Sequence, residues 1–322
     1  MPLLRALVGL TLLLAPALAG AQEFPSRPIR LVVPFPPGGP NDIIARTVGQ
    51  RMSELLGQPV LIDNRGGAGG VLGTDAVAKA EPDGYTIGVT SAGALAISSS
   101  LQEKIPYDPL KDFKPITLVA KVPEILAVAP TLPVSTMAEL VALAKAKPGD
   151  ISFASSGPGS MPHLAGELLK ITAGIDIVHI PYRGAAPAVT DILASQVHIV
   201  FLDIPVLLPH IQAGKLKAIA VGSRERAPSL KDVPTTAEAG FPQVEAENWY
   251  GMVAPAATPP AVIAKLHKAA VDAMKSPDVK DKLAAQGAIL VGDTPEEFAA
   301  YIRSEIDKWR KVVVAAGVKP GQ

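Results

Sequence analysis

The sequence predicts an α/β protein of two lobes, each a mostly parallel sheet with helices on both faces, and a ligand cleft between them. Three observations carry that expectation. Apolar stretches of strand length are followed repeatedly by a Gly/Pro loop and then a helical pattern, the order of an open parallel sheet. Aromatic residues make up only 4% of a chain that is 48% hydrophobic, an aliphatic bias typical of strands covered on both faces. At 322 residues the chain also exceeds the usual size of a single core.

The first element is not part of that fold. In residues 1–21 Arg5 is the only charged side chain, an apolar run covers 6–18, and Ala19-Gly20-Ala21 precedes Gln22. Such a run is too short to span a membrane and reads as a secretory signal peptide cleaved near Gln22. The expected location is the periplasm, with no stable membrane insertion.

Residues 29–33 form the first strand. Ile44, Val48, Met52 and Leu55 then recur at helical spacing until Gly57 stops the helix. Strand 60–62 leads into the glycine-rich run 66–73 and a second helix, and strand 85–90 ends in Ser91-Ala92-Gly93. The apolar passage 116–129, broken by Pro123, reads as a crossing to the other lobe, and 216–221 as the return. Residues 22–121 and 222–322 are therefore assigned to the first lobe and 122–221 to the second. Within the second, Thr136 and Glu139 have capping-box spacing. Strand 151–154 runs into residues 155–163, strand 177–180 into Pro181-Tyr182-Arg183-Gly184, and strand 197–201 into Leu202-Asp203. The last helix starts at Thr294, with Pro295 at its first position and Glu297 three residues on. Phe298, Ile302, Ile306, Trp309 and Val313 give it one apolar face for the first lobe.

Several classes of function are excluded. Lys plus Arg equals Asp plus Glu at 30 each, leaving no electrostatic basis for nucleic-acid or anionic-membrane binding. There is no cysteine, hence no disulfide or thiolate chemistry. The run 66–73 lacks dinucleotide spacing, because Leu72 stands where a third glycine should follow Gly67 and Gly69. Its reading is close packing of helix on strand, with lining of the cleft as the lesser alternative, and no cofactor is expected. The five histidines are scattered without metal-ligand spacing, so no metal site is assigned. Ser155, Ser156 and Ser160 lack the flanking glycines of a nucleophile elbow, and no catalytic residue is assigned.

What remains is anion binding at strand ends, where ligands of open α/β sheets sit. Phe35, Pro36, Pro37, Gly38 and Gly39 join the first strand to a helix. The glycines let the backbone approach a guest closely, and the helix start offers unpaired N–H groups. Asp42, a negative charge beside that start, is read as bracing the loop. Ser155, Ser156, Gly157, Gly159, Ser160 and His163 form the matching half, with Ser91 and Ala92 as weaker candidates. Tyr182 and Arg183 either anchor their loop or pair with a second carboxylate.

The loops also carry a family resemblance. Pro34-Phe35 with Gly38-Gly39 and Asp42, Asn64-Arg65 with Gly67-Ala68-Gly69-Gly70, and Pro82-Asp83-Gly84-Tyr85-Thr86 come first. Residues 107–113, Ala154-Ser155-Ser156-Gly157, residues 163–168, Pro181-Tyr182-Arg183-Gly184, residues 238–242 and Trp249-Tyr250-Gly251 follow in the same order. Together they resemble the tripartite tricarboxylate transporter substrate-binding family, the Bug-type receptors. The resemblance implies a bilobed type II periplasmic-binding-protein fold. It also implies a carboxylate held through backbone groups and ordered waters of two strand-to-helix loops, one from each lobe. Family members that bind amino acids place an aspartate directly after the phenylalanine of the strand before Pro205. Here Leu202 follows Phe201 and Asp203 comes one place later, turned to the other face of an extended strand unless a bulge intervenes. That favours a di- or tricarboxylate or an aromatic acid over an amino acid. The expectation is a monomeric receptor delivering its ligand to integral-membrane transporter subunits. The alternatives are a sensor subunit for a signalling protein, or a serine hydrolase using Ser160 or Ser156 with His163.

Overall fold

The computed structural model describes residues 23–101 and 104–317, so the signal segment expected at 1–21 lies outside the described residues. The chain opens with β1 (Ile29–Val33), α1 (Pro40–Leu56) and β2 (Val60–Asn64), followed by α2 (Val71–Ala78), β3 (Thr86–Ser91) and α3 (Ser98–Leu101). Strands β2, β1 and β3 lie side by side in parallel. Gly57 ends α1 in the left-handed conformation, as expected for a helix stop.

β4 (Phe113–Val128) is the long crossing element. Beyond it come α4 (Met137–Ala146), β5 (Ile151–Ser155), α5 (Met161–Ala173) and β6 (Ile177–Pro181), then α6 (Ala185–Leu193), β7 (Ile199–Asp203), α7 (Ile204–Gln212) and β8 (Lys217–Val221). The second half of β4 pairs antiparallel with β7 and β8, and β7, β5 and β6 continue that sheet in parallel. β8 thus still belongs to the second sheet. The chain leaves it at Gly222, whose N–H donates to the Glu124 carbonyl at 2.8 Å. It re-enters the first sheet as β9 (Glu247–Pro255), paired with β3 and with the first half of β4. α8 (Pro260–Lys275), α9 (Pro277–Ala285), β10 (Ile289–Leu290) and α10 (Pro295–Ala316) complete the chain. The parallel part of each sheet is a three-strand set; every antiparallel pair includes β4 or β9, the strands that carry the chain between lobes.

Each sheet is covered on both faces. Ile44, Val48 and Met52 of α1 join Leu266 and Ala270 of α8 on one face of the first sheet. Val71, Leu95 and Trp249 meet α10 on the other. In the second lobe α4 and α5 cover one face, α6 and α7 the other. Thr294 and Glu297 make the reciprocal capping box that opens α10, while Glu139 reaches back to the Ser135 N–H and leaves the Thr136 box half made. All five residues of the expected α10 face are buried. Burial contributes about 2 kcal/mol per side chain. The face meets the first lobe, and also Met161, Leu164 and Leu168 of α5, so α10 touches both lobes.

Candidate ligand cleft

The first loop is fixed by its own carboxylate. Gly38 adopts φ 83°, a left-handed turn that favours glycine, and Gly39 opens α1 without a side-chain cap. The Asp42 carboxylate supplies what is missing. Oδ2 accepts from Gly38 N at 3.0 Å and Arg46 Nε at 2.9 Å, and Oδ1 accepts from Asn64 Nδ2 at 2.9 Å. Burial pushes this carboxyl up, but the bonds from Arg46, Gly38 and Asn64 outweigh it and hold it below the usual carboxylate range. Asn64 Nδ2 also donates to the Phe35 carbonyl, and Asn41 Nδ2 donates to Val89 O on β3.

The second loop is braced by neutral groups. Ser160 is the N-cap of α5 and donates its hydroxyl to Gly157 O at 2.6 Å. Gly159 N donates to His163 Nδ1, Gly157 N donates to Ser155 Oγ, and Ser155 Oγ lies 2.7 Å from His179 Nε2. Phe153, His179 and His163 stack as a column, with ring centroids 4.8 and 4.3 Å apart. Burial lowers the His163 pKa to about 4; burial, then His163, lowers that of His179 to about 3. Both rings are therefore uncharged at neutral pH. With its hydroxyl spent on Gly157 O, Ser160 has no base to activate it.

The two loops face each other across a narrow cavity of about 20 Å³, set in about 360 Å³ of atom-free space that includes open solvent. Of the residues singled out from sequence, Phe35, Gly39, Ser91, Ser156, Ser160 and Asp203 line it. Pro37, Gly38 and Arg183 are exposed, while Pro36 wedges against Gly66 and Gly184. Ala92 is core, and Asp42, Ser155, Gly157, Gly159 and His163 stand behind the lining as braces. Tyr182 donates its hydroxyl to Asp191 at 2.6 Å, so it anchors its own loop. Pro40 and Asn41 in the first loop, Met161 and Pro162 in the second, and Ala185, Leu202, Asn248 and Tyr250 complete the wall. Ala185 and Asn248 had no signal in the sequence, and Tyr250 only that of the Trp249-Tyr250-Gly251 motif. No Lys or Arg is among the lining residues.

The lobes also touch through the glycine-rich run. A Cβ on Gly69 would lie 2.1 Å from Pro158 O of the second loop, and one on Gly93 would lie 3.0 Å from Gly159 O. Gly73 packs its helix onto Pro34, as the sequence suggested, whereas Gly69 serves the contact between lobes. β7 pairs with β4 in unbroken register through Asp203, without a bulge, yet Leu202 and Asp203 both line the cavity at the strand end. Among the described residues no three His, Asp or Glu side chains are placed to hold a metal, and no helix is long and apolar enough to cross a membrane.

Comparison with known proteins bears on this arrangement. A family model described as the tripartite tricarboxylate transporter family receptor matches residues 44–318. Protein BugT of Bordetella pertussis is 42% identical over 300 residues, covering 93% of this chain and 92% of that protein. The structure of R. palustris Rpa4515 with adipate superposes with TM-score 0.90 at 36% identity, covering 92% of this chain and 100% of that one. The structure of MatC (Rpa3494) from Rhodopseudomonas palustris with bound malate gives 0.87 at 34%, covering 90% and 100%.

Proposed function

The chain belongs to the tripartite tricarboxylate transporter receptor family, and on that premise we propose that it is a periplasmic receptor capturing a small carboxylate between its lobes. It then delivers the ligand to integral-membrane subunits of a carrier. The observation that carries this reading is the cavity to which both loops contribute, Phe35 and Gly39 from one side and Ser156 and Ser160 from the other, each at a helix start. Two related structures, one with adipate and one with bound malate, support the ligand class. Lobe boundaries at 22–121 with 222–322 and at 122–221 are supported by the change of partners along β4 near Pro123 and by the exit at Gly222.

Backbone N–H groups bonding a charged oxygen contribute about 1.5–3 kcal/mol each. Three or four of them, less the ordering cost, reach about −8 kcal/mol, which is micromolar affinity. Such a site needs no lysine or arginine, and none lines the cavity. Contacts from both lobes favour the closed form by their difference, so the carrier can tell loaded receptor from empty. Turnover has no support, because the Ser160 hydroxyl is donated to Gly157 O and His163 Nδ1 accepts from Gly159 N rather than from Ser160. The test is a thermal-shift screen of the mature, monomeric protein against di- and tricarboxylates, aromatic acids and amino acids. A ligand at about 100 times its Kd adds roughly 2.7 kcal/mol, several degrees of melting temperature. A panel that leaves the melting temperature unmoved, or product formation from any member, contradicts the reading.

A further inference from the structure

Asp203 ends β7 where β4 and β9 meet it, and its side chain is only 2% exposed. Its Oδ2 is fully engaged: the Tyr250 hydroxyl donates to it, and so does Asn248 Nδ2 at 3.3 Å. Its Oδ1 has no partner. Among the described residues, Asp203 is the one cavity-lining residue with a buried, unpartnered side-chain oxygen. Directly opposite it in the β4–β7 register stands Glu124, wholly buried, with neither carboxyl oxygen bonded. Opposed residues of an antiparallel pair project to the same face, so the two acids are neighbours in a dry place. Two such carboxyls carry at most one charge between them.

We infer that the floor of the cleft at Asp203 selects a carboxylate whose carbon chain bears a hydroxyl, the hydroxyl bonding to Asp203 Oδ1. The inference rests on the carboxylate-receptor reading above and narrows its substrate class. Both donors sit on Oδ2, so a proton taken up by this carboxyl resides on Oδ1. Burial raises the Asp203 pKa to about 7 against the bonds from Tyr250 and Asn248, so near neutral pH Oδ1 is an acceptor in some molecules and a donor in others. A hydroxyl is a small group that suits both states, because it gives and takes a hydrogen bond. An ammonium only donates, so Oδ1 can bond it only in the ionised state. A keto or second carboxylate group only accepts, and it would face the ionised acid unscreened. The titratable groups beside Asp203 are Glu124 on β4 and Tyr250 on β9. Burial, then the charge of Asp203, pushes both well above their usual ranges.

The test is calorimetric titration of the mature protein with two matched sets at pH 7. One set is succinate, malate, oxaloacetate and aspartate; the other is phenylacetate, mandelate, phenylglyoxylate and phenylglycine. In whichever set binds, the hydroxy member should bind about tenfold or more tighter than the unsubstituted one, the value of one buried hydrogen bond. Its affinity should change less than about threefold between pH 6 and 8, whereas that of an acceptor-only ligand falls as pH rises through 7 and that of an ammonium ligand climbs. Asp203→Leu should erase the hydroxy preference; should that variant not fold, the wild-type ranking and pH profile decide. A set led by its unsubstituted, keto or amino member overturns the inference and leaves the receptor reading standing. Absence of binding by every member of both sets overturns the inference, while the receptor reading is decided by the wider thermal-shift panel above.

Discussion

The two loops that face each other across the cleft have the same plan, strand, Gly/Pro turn and helix start, but are held by opposite means. The first is braced by one ionised side chain, Asp42, with three protein donors on it. The second is braced by hydroxyls and two uncharged, stacked imidazoles. Both solutions keep positive side chains out of the wall, as the proposed capture of a carboxylate by backbone amides at the helix starts requires. The lesson is that a clamp with two jaws can draw its rigidity from different chemistry in each. The jaws should then fail under different perturbations.

The largest effect is expected where the second loop meets the glycine run of the first lobe. Gly69→Ala places a methyl 2.1 Å from Pro158 O, at a left-handed position (φ 63°). Ligand affinity should fall by about 100-fold or more, with no ligand-induced compaction in small-angle scattering, while the left-handed alanine itself costs about 1 kcal/mol. Gly39→Ala in the first loop is the contrast. Its Cβ meets only Pro36 O at 3.8 Å and its φ is −81°, so affinity should stay within about threefold of wild type. Equal losses in the two variants would sink the distinction.

Next in size is Asp42→Ala. Loss of an acceptor serving three donors should lower stability by about 2–3 kcal/mol in urea unfolding. Ser155→Ala in the other loop, which loses bonds to His179 and Gly157 N, should lower it by about 1–2 kcal/mol.

An effect of similar size is expected in pH dependence, and it separates the loops by sign and window. The folded pKa values of His163 and His179, about 4 and about 3, lie below the ordinary histidine value. Their stability is therefore complete above pH 6.5 and is lost as pH falls through the window toward 4. Asp42 is also lowered, from an ordinary carboxylate value, so its contribution persists through that window and goes only below about pH 4. His163→Phe should thus gain on wild type by about 2 kcal/mol between pH 7 and 4.5. The deficit of Asp42→Asn should stay constant over the same range. Denaturant melts at five pH values distinguish the two; parallel curves for both variants would mean that the second loop is not held by neutral imidazoles.

Much of this was legible in the sequence because it is local. Strand 29–33, the stop at Gly57, the Thr294 capping box and the apolar face of α10 all follow from neighbours within a few residues. So does the bracing role of Asp42, four positions from the amide it holds. The rest depends on register between distant strands. Glu124 faces Asp203 only because β4 runs antiparallel to β7, and His179 stacks between Phe153 and His163 only because β6 lies beside β5. Asn248 and Tyr250 reach the cleft because β9 re-enters beside β4. Gly69 reads first as helix-on-strand packing and only second as part of the cleft, since its partner, Pro158, lies in the other lobe.

The central claim is that amides from both jaws converge on one carboxylate. A crystal structure of the mature protein soaked with the carboxylate that most raises its melting temperature tests this most directly. The account predicts a carboxylate oxygen within about 3 Å of backbone N–H groups, directly or through one water, in both the Phe35–Asn41 and the Ser156–Met161 segments. A carboxylate bound by one lobe alone, or lodged outside the space between the two loops, would contradict it.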